Sequence, residues 1–321
     1  MTVHLRGIFE CGYHVVWACF IGLLLVACGT GIEVTERVTD KDVKRVLEQS
    51  EGNLPTVTLV PFEDPLTSWK VGKRFWVADD HVRELLVNDS HYDFDTIHLA
   101  GHVLRFMRSE TTGFYSDDDG RVDIVFEDPA TLNNYVYRVG LPRDTVRPYV
   151  SLPMLIDLDM VDHVARQVQG KDFYIRTGIW YDRETEKMKD GRHFIKVHID
   201  SVLPGNTVLP LRLLFTTVDT HERAMVWMSD NASTMRGRDF DALFVAADLH
   251  LAYPSITADN WELITRSQVV VGMTKEECRL ALGPPQRTSE RPDQGGMREY
   301  WYYDGGSYLY FVDGLLSQFR R

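Results

Sequence analysis

The sequence lacks a basic excess and a long apolar segment. Its 35 Lys and Arg against 47 Asp and Glu give a formal net charge of -12, which argues against a nucleic-acid-binding protein because such proteins need a basic face for phosphates. The uncharged apolar run at residues 15–27 falls short of the roughly 20 residues that a helix needs to span a bilayer. Aromatic side chains are plentiful, and this excludes disorder for most of the chain.

Common catalytic and cofactor motifs are also missing. There is no HExxH, no Gly-x-Ser-x-Gly elbow, no P-loop and no GxGxxG after a strand. Two acidic segments resemble parts of metal sites, namely His91, Asp93, Asp95 and His98, and the run Asp117-Asp118-Asp119-Gly120. The second segment has Asp128, not glutamate, at the twelfth position of a calcium loop. A polar loop and a hairpin turn explain them better, so we predict no metal, no cofactor and no enzymatic activity.

Residues 1–27 have the features of a bacterial lipoprotein signal peptide. The short apolar core is followed by Leu25-Val26-Ala27-Cys28, which resembles a lipobox. In a lipobox, small residues let the peptidase approach and the cysteine becomes the new amino terminus. We expect cleavage between Ala27 and Cys28, with the Cys28 thiol carrying diacylglycerol and the mature protein carrying acyl chains such as palmitate. A plain signal peptide with an incidental cysteine, or a retained membrane helix, is the alternative.

Lipidation would also decide the cysteine chemistry and the location of the protein. Cys11 and Cys19 would leave with the signal, so Cys278 would remain as the only free thiol, and neither an intrachain disulfide nor a cysteine metal site could form. Two or three acyl chains make a stable membrane anchor, since each buried methylene contributes ~0.8 kcal/mol. By resemblance to Gram-negative lipoproteins, Gly29 in place of an aspartate favours the periplasmic face of the outer membrane.

The region after the anchor divides into a tether and two β-rich modules. Residues 28–54 are polar and predict a tether with one short helix. Residues 55–150 and 151–255 contain short β-branched or aromatic segments between turn residues, a pattern typical of antiparallel sheets. Residues 151–169, which open the second module, predict a linker that runs into a helix ended by Gly170, and residues 236–255 predict an irregular connection. The predicted fold class is α+β, with mostly antiparallel β structure.

The two β-rich modules resemble each other. Gly72–Val77 (GKRFWV) parallels Gly170–Ile175 (GKDFYI), and each segment opens a predicted strand. Looser matches follow in both modules. We therefore expect a duplicated module of roughly a hundred residues, with chance similarity between two hairpins as the alternative.

Residues 256–321 predict two helices followed by three strands, a small αα-βββ domain in two layers. Thr274 and Glu277 have the spacing of a capping box, and Gly283 with the following prolines ends that helix. Two aromatic strands flank Asp304-Gly305-Gly306, a strong hairpin signal, and Asp313-Gly314 turns into the last strand.

This carboxy-terminal segment resembles the BamE-like domain, also called the SmpA/OmlA domain, of outer-membrane lipoproteins. The resemblance rests on four stretches: Gly272–Glu277 (GMTKEE), Leu282-Gly283-x-Pro285, Trp301-Tyr302-Tyr303, and Leu309-x-Phe311-x-Asp313-Gly314. It implies a two-layer fold and protein–protein contact at the outer membrane, where BamE supports the β-barrel assembly machine. The chain departs from small BamE proteins in its long β-rich region and in having Cys278 where valine is usual.

Strand alternation indicates where a partner could bind. If Leu309 and Phe311 pack on the helices, Tyr308 and Tyr310 face outward, and exposed aromatic side chains favour interfaces. Trp301 and Tyr303 complete the set of candidate partner-binding residues, and packing on the preceding domain is the alternative for all four.

The sequence as a whole predicts a lipid-anchored periplasmic protein that binds or scaffolds envelope proteins, including in outer-membrane protein assembly. The alternative is an anchored small-ligand or glycan-binding lipoprotein that uses Trp76, Trp180 and Trp227 in an aromatic cleft.

Overall fold

The computed structural model describes residues 57–88, 97–112, 121–142, 152–230, 237–293 and 296–320. The predicted signal peptide, the lipidation site at Cys28, the tether and most of the two acidic segments lie outside the described residues. Within the described ranges, no helix is long and apolar enough to cross a membrane.

Three antiparallel sheets and five helices form the described part of the chain, which confirms the predicted α+β class. The first sheet consists of β1 (Arg74–Val77), β2 (Leu86–Asn88), β3 (Val103–Thr112), β4 (Arg121–Asp128), β5 (Asn133–Pro142) and β6 (Leu155–Asp157). The second consists of β7 (Asp172–Ile175), β8 (Ile179–Tyr181), β9 (Met188–Asp190), β10 (Ile195–Pro204), β11 (Leu211–Thr217), β12 (Arg223–Met228) and β13 (Phe244–Val245). The third consists of β14 (Arg287–Asp293), β15 (Gly296–Tyr302), β16 (Tyr308–Val312) and β17 (Leu315–Arg320). The helices are α1 (Leu158–Val168), α2 (Phe240–Leu243), α3 (Leu249–Ala252), α4 (Ala258–Thr265) and α5 (Lys275–Leu282).

The first two sheets share one strand order. The first runs β2-β5-β4-β3-β1-β6, and the second runs β9-β8-β12-β11-β10-β7-β13. In each sheet the opening strand, β1 or β7, pairs on one side with the first strand of a three-stranded meander, which is β3–β5 or β10–β12. On its other side the opening strand pairs with the strand that follows the meander, β6 or β13. The second strand of each module, β2 or β8, pairs with the last strand of the meander, β5 or β12. Only β9 is an addition in the second sheet.

The match between the two sheets extends to individual hydrogen bonds. Gly72 and Gly170 both have positive φ, at 89° and 75°, where glycine is favoured. The Gly72 amide donates to the Phe106 carbonyl, and the Gly170 amide donates to the Ile199 carbonyl, each over 2.8 Å. A β-bulge interrupts the next strand pairing directly after Phe106 and directly after Ile199. The two segments noted as similar in sequence thus occupy the same place in their sheets.

Helix α1 follows the first sheet and packs beneath the second. Asp157 begins the helix by accepting a hydrogen bond from the Asp159 amide at 2.9 Å. The buried side of the helix joins the core of the second sheet through Met160, Val161, Val164 and Val168. Helix α1 therefore joins the two sheets: it begins directly after β6 of the first sheet, and its buried side is part of the core of the second.

Lys73 forms a buried ionic cluster at this junction. Its side chain is 3% exposed, and its Nζ lies 2.7 Å from Asp157 and 2.9 Å from both Asp64 and Asp159. Three aromatic rings surround the ammonium at 5.4–5.6 Å from their centroids, those of Phe62, Trp69 and Phe75. Burial lowers the pKa of Lys73, but hydrogen bonds and charge attraction from the carboxylates outweigh it, so the pKa is raised.

Three sequence predictions differ from the structure. Residues 155–157, predicted as linker, form strand β6, and residues 236–255, predicted as irregular, contain α2, β13 and α3. Residues 287–293 form a fourth strand in the carboxy-terminal sheet, so the prediction of three strands is wrong by one. Strands of two or three residues are too short to show a period, and the polar RTSERPD is an edge strand without the usual apolar alternation.

Replacing Lys73 tests the buried cluster. We expect Lys73→Met to lower the free energy of unfolding by about 3 kcal/mol, because it leaves the buried carboxylate of Asp157 without its cation. Lys171 is the matched control at the corresponding position of the second module, where it is exposed and donates to the Gln167 carbonyl at 2.6 Å. Lys171→Met should change the free energy by less than about 0.5 kcal/mol. Urea unfolding measures both, and equal effects would contradict the assignment.

Candidate partner-binding surface

Helices α4 and α5 form the layer under the carboxy-terminal sheet. The predicted capping box is present: the Thr274 hydroxyl accepts from the Glu277 amide at 3.2 Å, and the Thr274 amide donates to the Glu277 carboxylate at 2.7 Å. The other oxygen of Glu277 accepts from the Asn260 side-chain amide at 2.6 Å. One buried carboxylate therefore caps α5 and fixes it to α4.

The inner face of the sheet is closed by packing on these helices. Leu309, Phe311 and Leu316 are buried in the same core as Trp261, Ile264, Cys278 and Ala281. Burial raises the pKa of the Cys278 thiol to about 12, so the cysteine is an inert core residue at neutral pH.

Trp301 lies in the core between the sheet and the helices, and Tyr303 packs against that core. Trp301 is 1% exposed, its indole N–H donates to Glu299, and the Arg279 guanidinium lies 5.2 Å from its ring. Tyr303 is half-buried, and its hydroxyl donates to the Gly283 carbonyl at 3.1 Å. The structure thus corrects the inclusion of the buried Trp301 among the partner-binding candidates, whereas Tyr303, whose ring also helps to hold the sheet against α5, stays a prediction.

Tyr308 and Tyr310 lie on the opposite, outer face together with two further tyrosines. Strand pairing aligns Tyr302 with Tyr308 and Tyr300 with Tyr310. The ring centroids of Tyr300 and Tyr310 are 4.6 Å apart, and those of Tyr300 and Tyr302 are 6.3 Å apart with nearly parallel planes. All four rings are half-exposed. Tyr300 and Tyr302 were not among the residues predicted to bind a partner, although the alternation in EYWYY placed them on the face opposite Trp301.

The tyrosines are the centre of three rows that cross all four strands. We call these twelve residues the outer face. The first row is Arg287, Tyr302, Tyr308 and Arg320; the second is Ser289, Tyr300, Tyr310 and Gln318; the third is Arg291, Arg298, Val312 and Leu315. The guanidinium of Arg287 lies 4.4 Å from the centroid of the Tyr302 ring. The rows contain four arginines and no carboxylate.

Apart from the outer face, the structure has a cleft where the second sheet meets α3 and α4. It is an open cleft of about 430 Å³ lined by aromatic rings and ion pairs, including Tyr174, Phe194, Trp261, Arg192, Asp219 and His250. Arg192 pairs with Asp219 at 2.7 Å. Trp180 and Trp227 are buried and Trp76 packs against the core of the second sheet, so the tryptophans proposed for a ligand cleft do not line it.

The residues considered for metal binding serve local structure where they are described. His98 Nδ1 lies 3.0 Å from the Asp80 carboxylate, whose other oxygen accepts from two backbone amides. Asp128 lies 2.9 Å from His102 and accepts from the Ala130 amide in the following turn. Over the described ranges there is no group of three or more His, Cys, Asp or Glu that could hold a metal ion.

Comparison with family models, with curated proteins and with solved structures finds no match to this chain.

His193 connects the second sheet to the carboxy-terminal helices. It is 5% exposed, its amide donates to the Thr265 carbonyl at 2.9 Å, and its Nδ1 lies 3.3 Å from the Ser267 hydroxyl. Burial lowers the pKa of His193 from 6.5 to about 4, against a small opposing effect of the Leu280 backbone. The imidazole is therefore neutral in the folded protein at pH 7.

This buried imidazole predicts acid sensitivity. Below pH 6.5 the His193 side chain of the unfolded chain binds a proton that the folded chain does not take up until about pH 4. The contribution of the neutral His193 to the free energy of unfolding is therefore fully present above pH 6.5 and falls as the pH drops. Between pH 7.5 and pH 5 we expect wild type to lose about 2 kcal/mol more than His193→Gln, measured by urea unfolding.

His81→Gln is the control for this measurement. His81 is 68% exposed, and its hydrogen bond to Asp79 raises its pKa, which gives a pH effect of opposite sign. This variant should therefore show an acid-induced loss at least as large as that of wild type. A loss that is unchanged in His193→Gln would contradict the role of His193.

Proposed function

We propose that the chain is an outer-membrane-anchored periplasmic lipoprotein that binds protein partners, as a scaffold component in the envelope or in outer-membrane protein assembly. The observation that carries this proposal is the outer face, where four half-exposed tyrosines lie side by side on a sheet whose other face packs on helices α4 and α5. Tyrosine and arginine are enriched in the centres of protein interfaces, because they offer large contact area together with polar groups.

The proposal includes a BamE-like carboxy-terminal domain. The stretches that resemble this family lie at structurally defined positions: GMTKEE contains the capping box of α5, and Trp301, Leu309 and Phe311 form the inner face. The additional strand β14 is a departure, and it contributes two of the four arginines of the outer face. We also propose that the first two sheets arose by duplication, supported by their shared strand order, glycine conformations and bulge positions.

Small-ligand or glycan binding is the second candidate function. The observation that favours it is the aromatic cleft at Tyr174, Phe194 and Trp261, where paired charges accompany the rings. This combination suits a polar ligand with apolar faces.

Removal of the acylated cysteine tests the membrane anchor. In Cys28→Ala we expect the protein to leave the membrane pellet and to lose incorporation of labelled palmitate, because the chain then has no thiol at the lipobox. Fractionation of cells that express the full chain measures both. Cys19→Ala should stay in the membrane fraction, and membrane retention of Cys28→Ala would overturn the lipoprotein proposal.

Replacement of the outer tyrosines tests partner binding. Tyr308→Ser with Tyr310→Ser should keep the thermal unfolding transition within a few degrees and abolish recovery of defined partners from solubilised outer membrane. Tyr303→Ser is the contrasting variant on the inner face, and it should lower stability because Tyr303 bonds to the end of α5. Partner recovery that is unaffected by the double change would contradict this assignment.

A further inference from the structure

The outer face has a charge opposite to that of the protein. The whole chain carries a net charge of -12, yet the three rows of the outer face contain Arg287, Arg291, Arg298 and Arg320, all of them exposed, and no acidic side chain. Asp293 holds the next register position on this face beyond Arg291, opposite Gly296, and two further carboxylates belong to turns outside the rows. Asp304 is bonded to the Gln286 side chain, and Asp313 accepts from the Met297 amide. A local basic surface on an acidic protein attracts anionic groups.

The arginines are placed around the tyrosines in a regular pattern. Arg287 and Arg320 lie at opposite edges of the first row, separated by three strand spacings or about 14 Å. Arg287 and Arg291 lie four residues apart along β14, about 13 Å. An extended polypeptide covers that distance in roughly four residues, since it advances ~3.3 Å per residue. Guanidinium groups bind carboxylates in a two-pronged geometry that favours such fixed positions.

We infer that the outer face binds an acidic, extended segment of a protein partner, with carboxylates about four residues apart on the arginines and the intervening apolar or prolyl groups on the tyrosine rings. This inference rests on the proposed function, to which it adds the chemistry of the partner. The occupant is a short segment because the positive surface is only four strands wide.

Two other anionic occupants fit the surface less well. The tyrosine rings are half-buried against one another, and the rows hold only Val312 and Leu315 as aliphatic residues, so little apolar surface projects far enough to enter a bilayer. A nucleic acid carries phosphates beyond the rows, where it would meet the acidic remainder of the chain within a Debye length of ~10 Å. A short acidic peptide contacts the outer face alone.

The test uses the full chain and a defined peptide. The probe is a fluorescent synthetic peptide with glutamate at every fourth position and proline and valine between, compared with its glutamine counterpart by anisotropy. Wild type should prefer the glutamate peptide, with affinity that weakens as salt rises. Arg287→Gln with Arg320→Gln should weaken binding on the order of tenfold, since exposed charge pairs contribute modestly. Arg166→Gln with Arg223→Gln removes the same charge from exposed positions elsewhere and should change binding by less than about twofold.

Several results would overturn the inference. These are no preference for the glutamate peptide, an equal loss in the control pair, or stronger arginine-dependent binding to phosphatidylglycerol vesicles or to a single-stranded oligonucleotide. Native partners that still require Tyr308 and Tyr310 but ignore the arginines would leave the proposed function intact and reject the acidic segment.

Discussion

The position of the Lys73 ammonium group is the constraint on which the arrangement of the two β-rich modules depends. A buried cation is costly unless it is paired, and here Asp64 comes from the segment before the first sheet while Asp157 and Asp159 come from the start of α1. The cation therefore determines where α1 leaves the first sheet, and α1 in turn supplies part of the core of the second. Lys171, at the corresponding position of the second module, is exposed and donates to the Gln167 carbonyl at the end of α1.

The carboxy-terminal domain is joined to the second module by a different kind of contact. Val245 and Leu249 enter the core of the carboxy-terminal domain, and His193 adds a backbone hydrogen bond to α4. These contacts and the capping carboxylate of Glu277 fix the helices, and the helices fix the inner face of the sheet. The outer face is the side of the carboxy-terminal sheet that this packing leaves open to solvent.

Local signals in the sequence were strong enough to predict much of this fold. The helix ending near Gly170, the capping box at Thr274 and Glu277, and the hairpin at Asp304–Gly306 were each predicted because their residues act on neighbouring backbone. Strand β14 escaped because its edge position removes the apolar pattern, and β6 and β13 because pairing partners far along the chain define them. The outer face was found only in part: alternation separates Tyr300 from Trp301, but only the register of β14 and β17 brings Arg287 and Arg320 beside the tyrosines.

The edges of the carboxy-terminal sheet explain why recognition should use the face. At one edge, the Gly272 amide donates to the Leu316 carbonyl and the Leu316 amide donates to Met273, so β17 already has a partner along part of its length. At the other edge, β14 contains Pro292, which lacks an amide hydrogen, and exposed charged side chains, features that discourage the addition of another strand. The proposed partner would therefore gain little from backbone pairing and would bind through side chains. Rings and guanidinium groups in fixed register would supply that contact without exposing an unpaired strand.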